Sequence, residues 1–246
     1  NMIKKMTIKK SDIICIIPAR GGSVGIKMKN LKKLNYKRLI QYPIEYALKS
    51  NLVGTVLVTT DNKLIAQKAR EYGAITPFLR PKKFSGSLST TETTLKHALL
   101  TYEKMINKKF KLCVFLTCTD IFRKSYWIKK GIETIRSNDK IESVFVGYKT
   151  HKNYWEKSTN SKNLKWVRLK KSMKIYSSRQ VRKFVVREDT GLFCVSRANL
   201  WRKGRRIGDN VDIILNELQS SSIDIHEGHD LDLANMAMKT YKNIIK

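Results

Sequence analysis

The chain has 246 residues, 41% hydrophobic and 28% charged, and its 50 Lys and Arg against 20 Asp and Glu leave a net charge of +30. That balance excludes a disordered chain, and no apolar run reaches the roughly 18 residues of a helical membrane span. A field of this sign attracts polyphosphates, nucleic acid or acidic sugars, although Lys spread from Lys4 to Lys246 is equally what solvated faces would give.

Along the chain, short β-branched runs alternate with amphipathic stretches. IICIIPA (13–19) predicts a buried strand, and RLIQYPIEYALKSN (38–51) a helix with apolar residues three and four apart. TVLVTTD (55–61) predicts the next strand, and DNKLIAQKAREYG (61–73) a helix opened by Asp61 as N-cap and closed by Gly73. A helix over 90–105 starts at Thr90, a strand follows over 111–119, and SYWIKKGIETIRSN (125–138) predicts a further helix. ESVFVGYK (142–149), GLFCVS (191–196) and SSIDI (221–225) complete the predicted strands, and a last helix runs from about Asp230 to Ile245. The alternation predicts one α/β domain over 1–246, a sheet with helices on both faces.

From about Lys149 to Lys183 the rhythm breaks into a polar segment containing Trp155 and Trp166, an excursion from the sheet. Aromatics among lysines can stack on bases, but no RRM, KH or helix-turn-helix signature accompanies them. A protein interface is therefore the favoured reading, and nucleic-acid binding the minor one. Cys15, Cys113, Cys118 and Cys194 form no CxxC pair, which fits a reducing compartment. The first residues are basic but lack an apolar core with a cleavage site, so cytoplasm is expected.

The densest signal is IIPARGGSVGIKMKNL (16–31). Gly21, Gly22 and Gly25 leave room for backbone N–H groups to converge on an anion, and Arg20, Lys27 and Lys29 add positive charge around it. Neither GxGxxG nor GxxxxGK[ST] fits this string. It resembles the nucleotide-binding loop of the CMP-sialic acid synthetases (acylneuraminate cytidylyltransferases), approximately PARGGSKGIxxKNL. Further likenesses follow in that family's order: VTTDNKLIAQKAREYGA (58–74), PFLRP (77–81), LTCTDIFR (116–123) to LQPTSPLR, Arg179-Gln180, EDTGLFCVS (188–196), and SSIDIHEGHDLDLA (221–234) to SIDIDTxxDLxxA.

The resemblance implies a Rossmann-like, mostly parallel α/β fold that moves CMP from CTP to a nine-carbon 2-keto sugar acid and releases pyrophosphate with Mg²⁺. It also implies a homodimer whose 149–183 excursion reaches the partner subunit. By position, Arg20, Lys29 and Asp224 would be catalytic. Arg20, Gly21, Gly22, Ser23, Lys29, Asn30, Arg80 and Thr91 would bind the nucleotide, and Thr117, Arg179 and Gln180 the sugar acid. Three departures fall in the site: Val24 in place of a Lys, Thr117 in place of a Gln, and His226 in place of the second carboxylate of a DxD pair.

Asp224, read as closing an apolar strand, is the expected metal ligand, since an imidazole is a poor ligand for Mg²⁺. Asp120 either joins it as the compensating carboxylate, with Mn²⁺ tolerated, or caps the helix beginning near Lys124. His226 and His229 also make an HxxH pair, a weak zinc signal without HExxH spacing. The runner-up function is a catalytically weakened family member that binds nucleotide or a partner.

Overall fold

The computed structural model describes residues 7–22, 25–86, 88–158, 165–178 and 180–240, so the expectations for Ser23, Val24 and Arg179 lie outside the described residues. In chain order the elements are β1 (Ile13–Pro18), the short hairpin of β2 (Lys33–Leu34) and β3 (Lys37–Arg38), α1 (Gln41–Lys49), β4 (Thr55–Thr59), α2 (Lys63–Glu71), α3 (Thr91–Ile106), β5 (Leu112–Phe115) and α4 (Tyr126–Ser137). They continue with β6 (Ser143–Thr150), β7 (Trp155–Lys157), β8 (Trp166–Arg168), β9 (Val185–Glu188), β10 (Cys194–Arg197), α5 (Ala198–Arg202), β11 (Val211–Asn216) and α6 (Gly228–Thr240).

The central sheet runs β11-β6-β10-β5-β1-β4, with β9 also paired to β6. β1 is parallel to β4 and β5, and β6 to β11, whereas β10 is antiparallel to both β5 and β6. The strands read as unbroken apolar runs because both faces are covered. Ile13, Cys15 and Ile17 pack with α1, α2, α4 and α6 on one face, while Ile14 and Ile16 pack with α3 and α5 on the other. All four cysteines are buried and unpaired within this core. Among the described residues no helix is long and apolar enough to cross a membrane.

Three expectations need correction. Asp61 does not cap α2: the Asn62 side chain accepts from the N–H groups of Leu64 and Ile65, one residue later. Residues 221–225 are not a strand. Gln219–Ser222 form a 3-10 turn, the segment makes a single bridge, Asp120 to Asp224, and the edge position belongs to β11. The last helix begins at Gly228, before Asp230, and its described part ends at Thr240. The excursion does leave the sheet: β7 and β8 pair only with each other, and β9 returns the chain to β6.

Candidate active site

The carboxyl ends of β1, β4 and β5 share one edge of the sheet, and the segments leaving them wall a cavity of about 590 Å³. Arg20, Lys29, Asn30, Arg80, Thr91 and Thr117 all line it, six of the expected site residues brought together from four segments. This is the crevice where open α/β sheets bind ligands.

Each cation is held in place by a backbone oxygen or a hydroxyl. Arg20 Nη1 donates across the cavity to the carbonyl of Gly86 at 3.3 Å. Lys29 Nζ donates to the carbonyl of Ile225 at 2.7 Å, so the glycine loop is stitched to the segment carrying Asp224. Burial pulls the Lys29 ammonium below its ordinary value, and the nearby Asp224 opposes that pull. Arg80 is buried, with Nε on Ser85 Oγ at 3.1 Å. Asn30 donates Nδ2 to the carbonyl of Arg20 at 2.9 Å and so fixes the exit of β1.

Gly21 gives its N–H to Asp61 Oδ1 at 2.8 Å, and among the described residues a Cβ on Gly22 would meet nothing within 4 Å. Gly25 lines the cavity and packs so tightly on residues 226–227 that a Cβ there would lie 2.5 Å from the His226 carbonyl oxygen. Asp61 is thus a residue whose part in the site the sequence hid behind an apparent helix cap.

On the opposite wall, the Thr117 hydroxyl donates to Asp120 Oδ2 at 2.6 Å. The Thr117 hydroxyl is thus engaged with Asp120 while the residue lines the cavity. Burial first, and then the neighbouring Asp224, push the Asp120 carboxyl above its ordinary value. Asp120 does not cap α4, whose N-cap residue is Ser125. Asp224 Oδ2 accepts from His226 Nε2 at 2.7 Å, while its buried Oδ1 has no hydrogen-bond partner. An orphaned carboxylate oxygen beside a second, poorly compensated carboxylate fits a hard divalent cation such as Mg²⁺. Among the described residues no group of three or more His, Cys, Asp or Glu is arranged for a metal, so phosphate oxygens and water would complete the shell. His229 faces Glu227 and Asp230 while His226 faces Asp224, which breaks up the HxxH pair.

A second cavity of about 810 Å³ opens at the carboxyl end of β6, between the excursion and Ser222, with Lys149, Lys152, Arg182 and Arg187 on its walls. Arg187 is tied to Asp189 by two hydrogen bonds, 2.7 and 2.9 Å, and reaches Ser222 Oγ at 3.2 Å. Gln180 is exposed on the excursion between Ser177 and Arg182, which line this cavity. The sequence did not single out Lys149, Arg182 or Arg187, because basic residues are too common in this chain to stand out.

Comparison with known proteins agrees with this geometry. A family model described as cytidylyltransferase matches residues 14–239. The CMP-N,N'-diacetyllegionaminic acid synthase of Legionella pneumophila is 33% identical over 165 residues, covering 67% of this chain and 70% of that one. The N-acylneuraminate cytidylyltransferase of Escherichia coli is 34% identical over 135 residues, covering 55% of this chain and 31% of that one. The chain spans about half or less of the length of several such relatives. Among solved structures, a CMP:2-keto-3-deoxy-manno-octonic acid synthetase complexed with CTP has the same fold, with a TM-score of 0.67 at 13% identity over 93% of this chain and 98% of that one.

Proposed function

Because the chain belongs to the cytidylyltransferase family, we propose that it transfers CMP from CTP to a 2-keto sugar acid of the sialic acid type, releasing pyrophosphate. The observation that carries this reading is the cavity at the sheet's carboxyl edge, where Arg20, Lys29 and Arg80 converge and whose other walls, Thr117, Thr119 and His226, adjoin the bridged Asp120 and Asp224. Arg20 and Lys29 hold the triphosphate, and the buried Arg80, with Asn30 and Thr91, reads the cytosine and ribose. The acceptor hydroxyl attacks the α-phosphorus and gives its proton to water, as the bond from that phosphorus to the bridging oxygen of the β-phosphate breaks and pyrophosphate leaves. The two cations stabilise the negative charge that develops on the phosphate oxygens. Asp120 and Asp224 would hold a divalent cation, which when bound would supply further charge neutralisation at those oxygens. Mn²⁺ would be tolerated beside Mg²⁺, because manganese accepts an imidazole such as His226 more readily.

The sugar acid lies toward the 810 Å³ cavity, whose cationic walls and hydroxyls match a carboxylate and a polyol. Relatives named for N-acylneuraminate, pseudaminic acid and diacetyllegionaminic acid set the panel to assay. Pyrophosphate release is measured with CTP, Mg²⁺ or Mn²⁺, and each acid in turn. Turnover with one of them is the expected result. CTP binding without pyrophosphate from any acid favours instead a weakened member that binds nucleotide, a reading to which the Asp224–His226 contact lends support.

A further inference from the structure

Arg123 is 3% exposed, yet among the described residues no carboxylate lies in ion-pair contact with it. A buried guanidinium in this state persists only when its N–H groups find other acceptors. Arg123 Nε donates to the Leu192 carbonyl at 2.6 Å, and Nη2 donates to the carbonyls of Thr117 at 2.6 Å and Gly191 at 2.9 Å. Nη1 is buried without a hydrogen-bond partner, and the guanidinium sits 5.8 Å from the centre of the Tyr46 ring.

These acceptors lie on two segments that meet at the site. Thr117 belongs to the turn after β5. Gly191 and Leu192 belong to the connector between β9 and β10, through which the excursion returns to the sheet. The same two segments are joined by the Thr117 N–H to the Gly191 carbonyl at 3.0 Å. Asp120 packs directly on Gly191: a Cβ there would collide with Asp120 Oδ2 and approach Thr117 Cγ2 to 3.0 Å. Asp120 is thereby fixed from two sides, by the Thr117 hydroxyl and by a bare backbone that Arg123 holds against it.

We propose that Arg123 is a positioning residue that, with Gly191, clamps the β9–β10 connector onto the β5 turn and so sets the Asp120 carboxylate beside Asp224. The inference rests on the reading of Asp120 and Asp224 as a cation-binding pair. It adds a mechanical link: the foot of the excursion, where the acceptor and a partner subunit are proposed to bind, bears on the carboxylate through one buried side chain. Lysine cannot substitute, because one ammonium cannot reach three carbonyls with the spread of a planar fork.

The test uses the whole chain with Asp120→Asn, Arg123→Lys and Gly191→Ala, Gly191→Ala disturbing Asp120 without removing the buried charge. CTP affinity is measured by calorimetry in EDTA, and Mn²⁺ affinity of the protein–CTP complex by electron paramagnetic resonance. All three variants are expected to keep CTP affinity within about twofold while Mn²⁺ affinity falls by about 10- to 100-fold, the usual effect of disturbing a ligand's support. If Asp120→Asn weakens Mn²⁺ but Arg123→Lys and Gly191→Ala do not, the clamp is wrong and the cation pair stands. If Asp120→Asn itself leaves Mn²⁺ affinity intact, the pair is wrong and the clamp with it. A parallel loss of CTP and Mn²⁺ affinity in Arg123→Lys and Gly191→Ala makes both residues merely structural and overturns the proposal.

Discussion

Lys29 joins two segments by a single ammonium, and that makes it the most informative residue to remove. Lys29→Ala deletes both the proposed phosphate contact and the link to the Ile225 carbonyl. Loss of one charge-assisted hydrogen bond predicts a CTP affinity weakened by about 1.5–3 kcal/mol, measured by calorimetry, and unchanged affinity removes Lys29 from the site. His97 predicts a pH dependence. Its ring stacks on Phe84 at 4.4 Å, and burial, followed by the charges of Arg80 and Lys83, holds its pKa below the ordinary 6.5. Below pH 6.5 the unfolded chain takes up a proton at this residue that the folded chain refuses, so stability falls as the pH falls through that range. His97→Phe should flatten the decline in denaturation midpoint between neutral and mildly acidic pH, and a slope identical to that of the unsubstituted chain would assign the decline to other groups. At this scale the sequence pointed to Arg20 and Lys29, because charge beside a glycine turn is a local pattern, whereas Asn30 and Arg80 came from the family resemblance alone; the fold brings all four to one cavity. It could not reveal Arg123, which reads as an ordinary basic residue before a helix until the carbonyls of residues 191 and 192, far along the chain, are folded over it.

Among the elements, the glycine loop divides into a tight part and a loose part, and the division is measurable. Gly25→Ala would force the loop off the His226 carbonyl and should weaken CTP binding, whereas Gly22→Ala meets no neighbour among the described residues and should leave it unchanged. Gly22→Ala should also leave folding stability unchanged or raised by about 0.4–1 kcal/mol, through the lower entropy of the unfolded chain. Equal effects of the two substitutions on calorimetric CTP affinity would remove the distinction. Strands β1, β4, β5, β6 and β10 were legible because burial on both faces leaves uninterrupted apolar runs. β11 was not: at the sheet's edge its residues alternate between buried and exposed, so no unbroken apolar run marks it. Ile223 and Ile225 made 221–225 look like a strand, but they only brace a connector whose one bridge, to Asp120, matters for the site. α2 shows how fine the margin is, since Asp61 and Asn62 are both good caps by type and only the geometry assigns the cap to one and the loop contact to the other.

For the whole molecule, the excursion carries an apolar surface that the sheet does not cover. Ile175, Tyr176 and Val181 are 68%, 69% and 75% exposed, and Trp155, Trp166 and Phe184 are also exposed. A surface of this kind on a polar, basic segment predicts self-association. Light scattering at micromolar concentration should give a dimeric mass, reduced to the monomer's by the pair Ile175→Asp and Val181→Asp. A monomeric mass for the unsubstituted chain would leave this face without a second copy. The sheet order has a further consequence, for the timing of assembly during synthesis. β5 and β6 are successive strands in the sequence but are held apart by β10, made some fifty residues after β6 begins. A nascent chain that has emerged only through β6 therefore presents two unpaired strand edges, with a gap between them that its own later residues must fill. Until residues 191–197 insert, the turn carrying Asp120 lacks its contacts with Gly191 and Leu192. A ribosome stalled before residue 191 therefore leaves β4, β1 and β5 able to pair but not yet joined to β6.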